Sequence, residues 1–159
     1  MNLTKKQIET LKKLMINSAK KGNLANSGMV IGGGRIIATS ESLVVTNHNA
    51  TDHSERMLVE KVCKKYQSHY TPDLTMVTVC QPCLMCLSAC SQAGYNKIAY
   101  IIPAQKYVDK IPWMSDNTKI NVGKTAKTMT DPIEFVQLPQ YETEFSKVFE
   151  KVMIHHLTK

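Results

Sequence analysis

The sequence has no long apolar run and few aromatic residues, and each of these absences excludes a class of protein. Nowhere do roughly 18 consecutive apolar residues occur, as a membrane-spanning helix requires. The first 21 residues are rich in lysine and contain no unbroken apolar segment of the kind found in secretory signal peptides, so we expect a cytosolic protein. Aromatic residues make up only 6% of the chain, which is too few for an extended base-stacking surface.

Positive charge is in excess but is not concentrated in one segment. Lys and Arg number 20 against 13 Asp and Glu, which gives a formal net charge of +7. Such an excess favours contact with polyanions. However, the chain has no run of five or more like charges, which nucleic-acid-binding arms usually have. We therefore expect a solvated basic surface, with nucleic acid as a possible but not favoured partner and no membrane contact.

Neither internal repeats nor a low-complexity linker divides the chain. With 159 residues, of which 43% are hydrophobic, the sequence is long enough to bury one substantial core. We predict a single domain over residues 1–159.

A capping box of Thr4 and Gln7 begins a first helix, and a hairpin surrounds the glycines at 32–34. Helices at 53–65 and from Pro82 to about residue 93 then alternate with strands at 74–79, 97–102 and 133–137, and a last helix begins at Tyr141. This alternation predicts an α/β fold around one sheet.

Two short motifs offer three zinc ligands and one carboxylate. The first is His53-Ser54-Glu55, and the second is Pro82-Cys83-Leu84-Met85-Cys86. Catalytic zinc sites usually take three protein ligands from His and Cys and keep a fourth position open, whereas structural sites use four protein ligands. The motifs therefore predict an open site with one Zn²⁺ per chain, bound by His53, Cys83 and Cys86, with Glu55 beside it.

Cys80 is the residue that would change this interpretation. As a fourth ligand it would close the zinc site, but its place at the end of a predicted strand favours a position in the sheet core. The chain has an odd number of cysteines, five, which suits metal binding in a reducing compartment better than a disulfide framework. A thioredoxin-like redox motif is the competing interpretation, and it leaves the first motif unexplained.

The predicted elements place both motifs at helix N-termini. Pro82 suits the first turn of a helix because its missing N–H would have no partner there. Cys83 and Cys86 are three residues apart and then share one helix face. Orphan N–H groups and the positive end of the helix dipole favour thiolate and hydroxide at such a place.

The two motifs resemble the H-x-E and P-C-x-x-C signature of zinc deaminases that act on nucleobases. The chain as a whole is similar to the cytidine-deaminase-like superfamily, and within it to the branch of guanine deaminases and tRNA adenosine deaminases. Residues 49–55 resemble that branch's D-P-T-A-H-A-E segment, and residues 79–86 resemble its C-E-P-C-x-M-C segment. The resemblance extends over residues 4–157. It implies a three-layer α/β/α sandwich around a single mixed sheet.

The resemblance also implies a reaction. The protein is expected to be a zinc-dependent hydrolytic deaminase that releases ammonia from a small aminated heterocycle, such as a free nucleobase or a nucleoside. Glu55 is expected to be the catalytic general acid and base, and its elevated pKa would come from a closed pocket. Homo-oligomers, dimers in particular, are common among the resembling families, so a homodimer is expected on that ground alone.

The sequence differs from the guanine deaminase and tRNA adenosine deaminase branch at a position that contacts the substrate. An Asn commonly lies eleven residues before the zinc His and binds the base, and this chain has Ser42 there. His48, Trp113 and Asp116 are further candidates for substrate contact, although a structural role for His48 and core packing for Trp113 are open alternatives. Two other functions also remain open: deamination of a base within tRNA or single-stranded DNA, and a zinc-binding protein of the same fold that has lost catalysis. The intact Glu55 argues against the second.

Overall fold

The computed structural model describes residues 1–111 and 119–157. Its helices and strands alternate along most of the chain, as the sequence predicted. In chain order they are α1 (Lys5–Lys20), β1 (Ser27–Gly32), β2 (Arg35–Glu41), α2 (Ser54–Tyr66), β3 (Thr75–Cys80), α3 (Leu84–Gln92), β4 (Lys97–Ile102), α4 (Val122–Lys127), β5 (Glu134–Gln137), α5 (Glu142–Val152) and α6 (Ile154–Leu157).

The five strands form one mixed sheet in the order β2-β1-β3-β4-β5. β1 is antiparallel to both β2 and β3, whereas β3, β4 and β5 run parallel. The parallel strands are joined by helices, as parallel pairing requires a crossover connection. The C-terminal end of β3 therefore lies inside the sheet, between β1 and β4, and leads directly into the second motif.

Helices cover both faces of the sheet. α1 and α5 cover one face, where Met15 and Phe145 are fully buried. α2, α3 and α4 cover the other, where Leu58, Leu87 and Val122 are fully buried. The predicted three-layer α/β/α sandwich around a single mixed sheet is confirmed.

The β1–β2 hairpin closes through a two-residue turn. Gly33 and Gly34 have φ values of 55° and 74° and follow the pairing of Gly32 with Arg35. Positive φ at both central residues is the requirement of a type I′ turn, and glycine meets it without steric strain. The hairpin predicted from the glycine run is confirmed.

The prediction that Pro82 lies in the first helical turn is wrong. α3 begins at Leu84, and Cys83 is its N-cap, with extended backbone at φ −79° and ψ 175°. The N–H of Gln81 still donates to the carbonyl of Ile102, at 2.9 Å, so sheet pairing continues one residue beyond β3. Pro82 therefore lies at the corner between strand and helix.

α4 was not predicted from the sequence. This six-residue helix is N-capped by Asn121, whose Oδ1 accepts from the N–H of Lys124 at 2.9 Å. Within the ranges 1–111 and 119–157, no helix has the length and apolarity needed to cross a membrane.

Candidate active site

The side chains of His53, Cys83 and Cys86 converge on one point. Their ligand atoms all lie within 4.8 Å of one another. Nδ1 of His53 is 3.6 Å from Sγ of Cys83 and 3.7 Å from Sγ of Cys86. A tetrahedral zinc about 2.3 Å from sulfur and about 2.0–2.1 Å from nitrogen would set such atoms roughly 3.6 Å apart. The donor set and its spacing therefore fit the zinc ion that the sequence predicted.

Two helix N-termini bring these ligands together. His53 is the N-cap of α2, and Cys83 is the N-cap of α3. Cys86 lies three residues further along α3, on the side that faces the same point. Because the N-terminus of a helix carries partial positive charge, this position favours thiolate over thiol. The predicted placement of both motifs at helix N-termini is confirmed.

The thiols of Cys83 and Cys86 affect each other's pKa. The hydrogen bond with Cys86 and the proximity of His53 lower the pKa of Cys83. The same pairing, together with burial, raises the pKa of Cys86. Both sulfurs must be deprotonated when a metal binds them.

Cys80 lies in the sheet core and not at the metal cluster. It is buried, with its Sγ 3.9 Å from the carbonyl oxygen of Ala25. Burial raises the pKa of its thiol. Of the residues that the structure describes, only His53, Cys83 and Cys86 form a possible metal cluster, so the predicted core position of Cys80 is confirmed.

Glu55 is buried immediately beside the three ligands. Its Oε2 lies 3.8 Å from Sγ of Cys86. Ser54 Oγ donates to Oε2 at 3.0 Å, and Asn26 Nδ2 donates to Oε1 at 3.2 Å. Burial raises the pKa of the Glu55 carboxyl, and the nearby His53 opposes the rise. A carboxylate with a raised pKa at a metal cluster is suited to carry a proton.

A cavity of about 360 Å³ opens beside the cluster. Most of its described lining is apolar, and its polar members include Asn26 and Ser42. The described lining residues are Leu24, Asn26, Ser42, Val44, Val45, Ala50 and His53. None of these is Lys or Arg. A mostly apolar pocket with a few convergent polar groups is typical of a site for a small ligand.

The loop that forms one wall of this cavity is held by hydrogen bonds. The N–H of Leu43 donates to the carbonyl of Asp52 at 3.0 Å and closes the loop at its base. The Asp52 carboxylate accepts from Asn47 Nδ2 at 2.8 Å, from Asn49 Nδ2 at 2.9 Å and from Arg56 at 2.6 Å. These hydrogen bonds fix the conformation of the wall.

Of the four residues predicted to contact the substrate, one lines the cavity, one lies on the exposed surface and two lie outside the described residues. Ser42 lines the cavity and is almost fully buried. His48 lies exposed in the loop, with φ at 50°, and does not line the cavity. Trp113 and Asp116 lie outside the described residues. Asn26 lines the cavity and contacts Glu55, yet no motif in the sequence pointed to it, because its partners are brought together only by the fold.

Residues 1–102 match the family model of the cytidine and deoxycytidylate deaminase zinc-binding region. This match includes both metal motifs. A guanine deaminase of Bacillus subtilis (strain 168) is 28% identical over 144 residues, which cover 86% of this chain and 90% of that protein.

Solved structures of deaminases share the fold. A guanine deaminase from Nitrosomonas europaea has a TM-score of 0.79 at 14% sequence identity, over 96% of this chain and 85% of its own. A structure from studies of A-to-I editing by tRNA:A34 deaminases has a TM-score of 0.75 at 16% identity, over 91% of this chain and 99% of its own. At these identities the likeness establishes the α/β/α architecture.

Proposed function

The chain belongs to the cytidine and deoxycytidylate deaminase zinc-binding family, and we propose that it deaminates a free nucleobase, nucleoside or related aminated heterocycle by hydrolysis. The observation that carries this proposal is the buried carboxylate of Glu55 beside the His53, Cys83 and Cys86 cluster, next to a small cavity that His53 lines. A metal site that served only to stabilise the fold would have no use for a buried carboxylate at this position.

The chemistry assigned to each residue follows from its place. His53, Cys83 and Cys86 would hold the zinc ion, which when bound supplies an activated water at neutral pH. Glu55 accepts the proton of that water and delivers it to a ring nitrogen of the substrate. A new C–O bond forms at the amidine carbon, and Glu55 then moves the proton of the new hydroxyl group to the amino group. The C–N bond breaks with release of ammonia, and the C–O bond becomes the carbonyl of the product.

The cavity supports a small substrate. Its volume of about 360 Å³ falls near the lower end of the range for small-molecule sites. Its described lining is largely apolar and contains no basic side chain that would bind a phosphate backbone. The related guanine deaminase also supports a free base as substrate. A flat heterocycle with its amino group directed at Glu55 fits these features.

Deamination of a base within nucleic acid is the second candidate. The net charge of +7 favours it, because phosphate contacts are made by Lys and Arg. The absence of basic residues from the described cavity lining weighs against it.

A screen for ammonia release tests the proposal. Zinc-loaded protein is incubated with guanine, cytosine, adenine, their nucleosides and other aminated heterocycles. We expect release from at least one of them. The zinc-loaded protein could instead be inactive on all free heterocycles and form inosine or uracil at one position of a tRNA or a single-stranded DNA. That result would favour deamination of a base within nucleic acid over deamination of a free heterocycle.

A further inference from the structure

Asn26 is a buried polar residue that joins the catalytic carboxylate to the sheet. It directly precedes β1 and is only 5% exposed. Its Oδ1 accepts from the backbone N–H of Cys80, at 2.9 Å. Its Nδ2 donates to Glu55 Oε1 and to Ser54 Oγ, both at 3.2 Å. The amide nitrogen of Asn26 thus has two acceptors, and its amide oxygen has one donor.

The orientation of the carboxamide is fixed by its partners. A backbone N–H can only donate, so the atom of Asn26 that faces Cys80 must be the oxygen. The amide nitrogen is therefore directed at Glu55 and Ser54. A flipped carboxamide would set an N–H against the N–H of Cys80 and an oxygen against the carboxylate.

Ser54 completes a closed set of hydrogen bonds with these two residues. Its hydroxyl accepts from Asn26 and donates to Glu55 Oε2, at 3.0 Å. Glu55 consequently receives a hydrogen bond from Asn26 on Oε1 and one from Ser54 on Oε2, and Sγ of Cys86 also lies 3.8 Å from Oε2.

Asn26 also connects Glu55 to the elements around the site. Cys80 ends β3, three residues before Cys83. The carbonyl of Asn26 also accepts from the N–H of Ser42, at 3.1 Å, next to the end of β2. Asn26 thereby ties the carboxylate to β1, to the end of β3 that leads into α3, and to the wall of the cavity.

We propose that Asn26 is a positioning residue that, together with Ser54, holds the Glu55 carboxylate in its working orientation at the metal cluster. A glutamate side chain has three rotatable bonds, and two donors on its two oxygens restrict them. A displacement of about 1 Å at a reacting group can lower the rate roughly 100-fold. The inference depends on the proposed role of Glu55 as proton carrier.

The test compares Asn26→Ala and Ser54→Ala with the wild type, each loaded with zinc, on the substrate found by the screen. We expect kcat to fall at least tenfold for Asn26→Ala and less for Ser54→Ala, with KM within threefold and one zinc per chain. Ser27→Ala is the matched control. Ser27 is next to Asn26 in the chain, and its hydroxyl donates a buried hydrogen bond to the carbonyl of Leu11 at 2.8 Å. Removing this bond should leave kcat and KM within twofold of the wild-type values.

A double variant separates positioning from a merely structural effect. If Asn26 acts through Glu55, Asn26→Ala should change the residual kcat of Glu55→Gln by less than threefold. The same tenfold loss in both backgrounds, or a rise in KM with unchanged kcat, would overturn the proposal. If Asn26→Ala does not give folded protein, Asn26→Leu replaces it, because leucine fills the same space without hydrogen bonds. An unchanged kcat in both Asn26→Leu and Ser54→Ala would also overturn the proposal.

Glu55→Gln measured alone distinguishes this inference from the proposed function. If Glu55→Gln keeps full activity, Glu55 is not the proton carrier and the proposed mechanism fails. If Glu55→Gln is inactive and Asn26→Ala is fully active, only the positioning role of Asn26 is wrong.

Discussion

Nδ1 of His53 lies 3.6 Å from Sγ of Cys83, although 30 positions separate the two residues in the chain. The contact arises because α2 and α3 pack on the same face of the sheet and begin at the same end of it. β3 between them returns the chain to that end. The metal cluster is therefore a product of the tertiary fold, and a metal bound there should also stabilise the fold.

The first prediction concerns the metal ligands. Replacing His53, Cys83 or Cys86 by Ala should abolish stoichiometric zinc, because each removes one of three ligands. Cys80→Ala should retain close to one zinc per chain, and so should Cys90→Ala, which removes another buried thiol that is not a member of the cluster. Elemental analysis of the purified variants measures this. A metal-free Cys80→Ala protein would show that the site has a fourth protein ligand and is closed to water.

Local signals in the sequence were sufficient for much of this structure. The capping box of Thr4 and Gln7 is formed as predicted, and β4 has the predicted bounds Lys97–Ile102. The metal ligands followed from residue type and spacing, which reflect the requirements of zinc itself. Such features depend on neighbours in the chain or on fixed chemistry, and therefore can be recognised without the fold.

Other features depend on contacts between distant segments and were not predicted. The contact of Asn26 with Glu55 spans 29 residues, and that with Cys80 spans 54. Pro82 was placed in the helix because proline suits the first turn, but the sheet pairing of Gln81 delays the helix start to Leu84. His48 is near the first motif in sequence, yet the loop directs it to the exposed surface.

The second prediction concerns substrate choice. A carboxamide can donate and accept at a base edge, whereas the shorter hydroxyl of Ser42 has less reach. We expect the wild type to be a poor guanine or adenosine deaminase and to prefer a heterocycle whose additional bulk occupies the space beside Ser42 and the apolar cavity wall. Ser42→Asn should shift relative kcat/KM toward the ordinary bases.

The measurement is a comparison of kcat/KM for each substrate between the wild type and Ser42→Asn. Efficient turnover of guanine by the wild type, at a kcat/KM of about 10⁴ M⁻¹s⁻¹ or more, would contradict the prediction. Recognition of the base would then rest on other residues, and His48, Trp113 and Asp116 would be tested next.

The third prediction concerns the cavity loop. Asp52→Ala removes three hydrogen bonds to a carboxylate whose side chain is only 9% exposed. We expect a loss of about 1–3 kcal/mol in the free energy of unfolding, and a higher KM because this loop forms part of the cavity wall. Urea denaturation and steady-state kinetics measure the two effects.

Glu60→Ala is the matched control for this change. Glu60 also binds Arg56, at 2.8 Å, but its side chain is 44% exposed and it lies away from the cavity. Surface ion pairs of this kind contribute about 0–1 kcal/mol. Equal effects of the two variants on KM would show that the loop wall does not depend on Asp52.

The fourth prediction concerns nucleic acid. A scattered charge of +7 predicts binding to RNA or single-stranded DNA that is weak, indifferent to sequence and lost steeply with added salt. Fluorescence anisotropy with labelled tRNA and with an unrelated RNA, at several salt concentrations, measures this. Tight binding to one tRNA at physiological salt would favour the nucleic-acid substrate.

The central claim is that Glu55 carries protons for a zinc-dependent hydrolysis, and turnover by Glu55→Gln tests it most directly. Glutamine keeps the size of the side chain and its capacity for hydrogen bonds but cannot carry the proton. Zinc content and ammonia release are measured on the same preparation, with the substrate that the wild type uses. The account predicts one zinc per chain and a kcat lower by about 10²–10⁴-fold. A zinc-loaded Glu55→Gln protein that releases ammonia at the wild-type rate would contradict it.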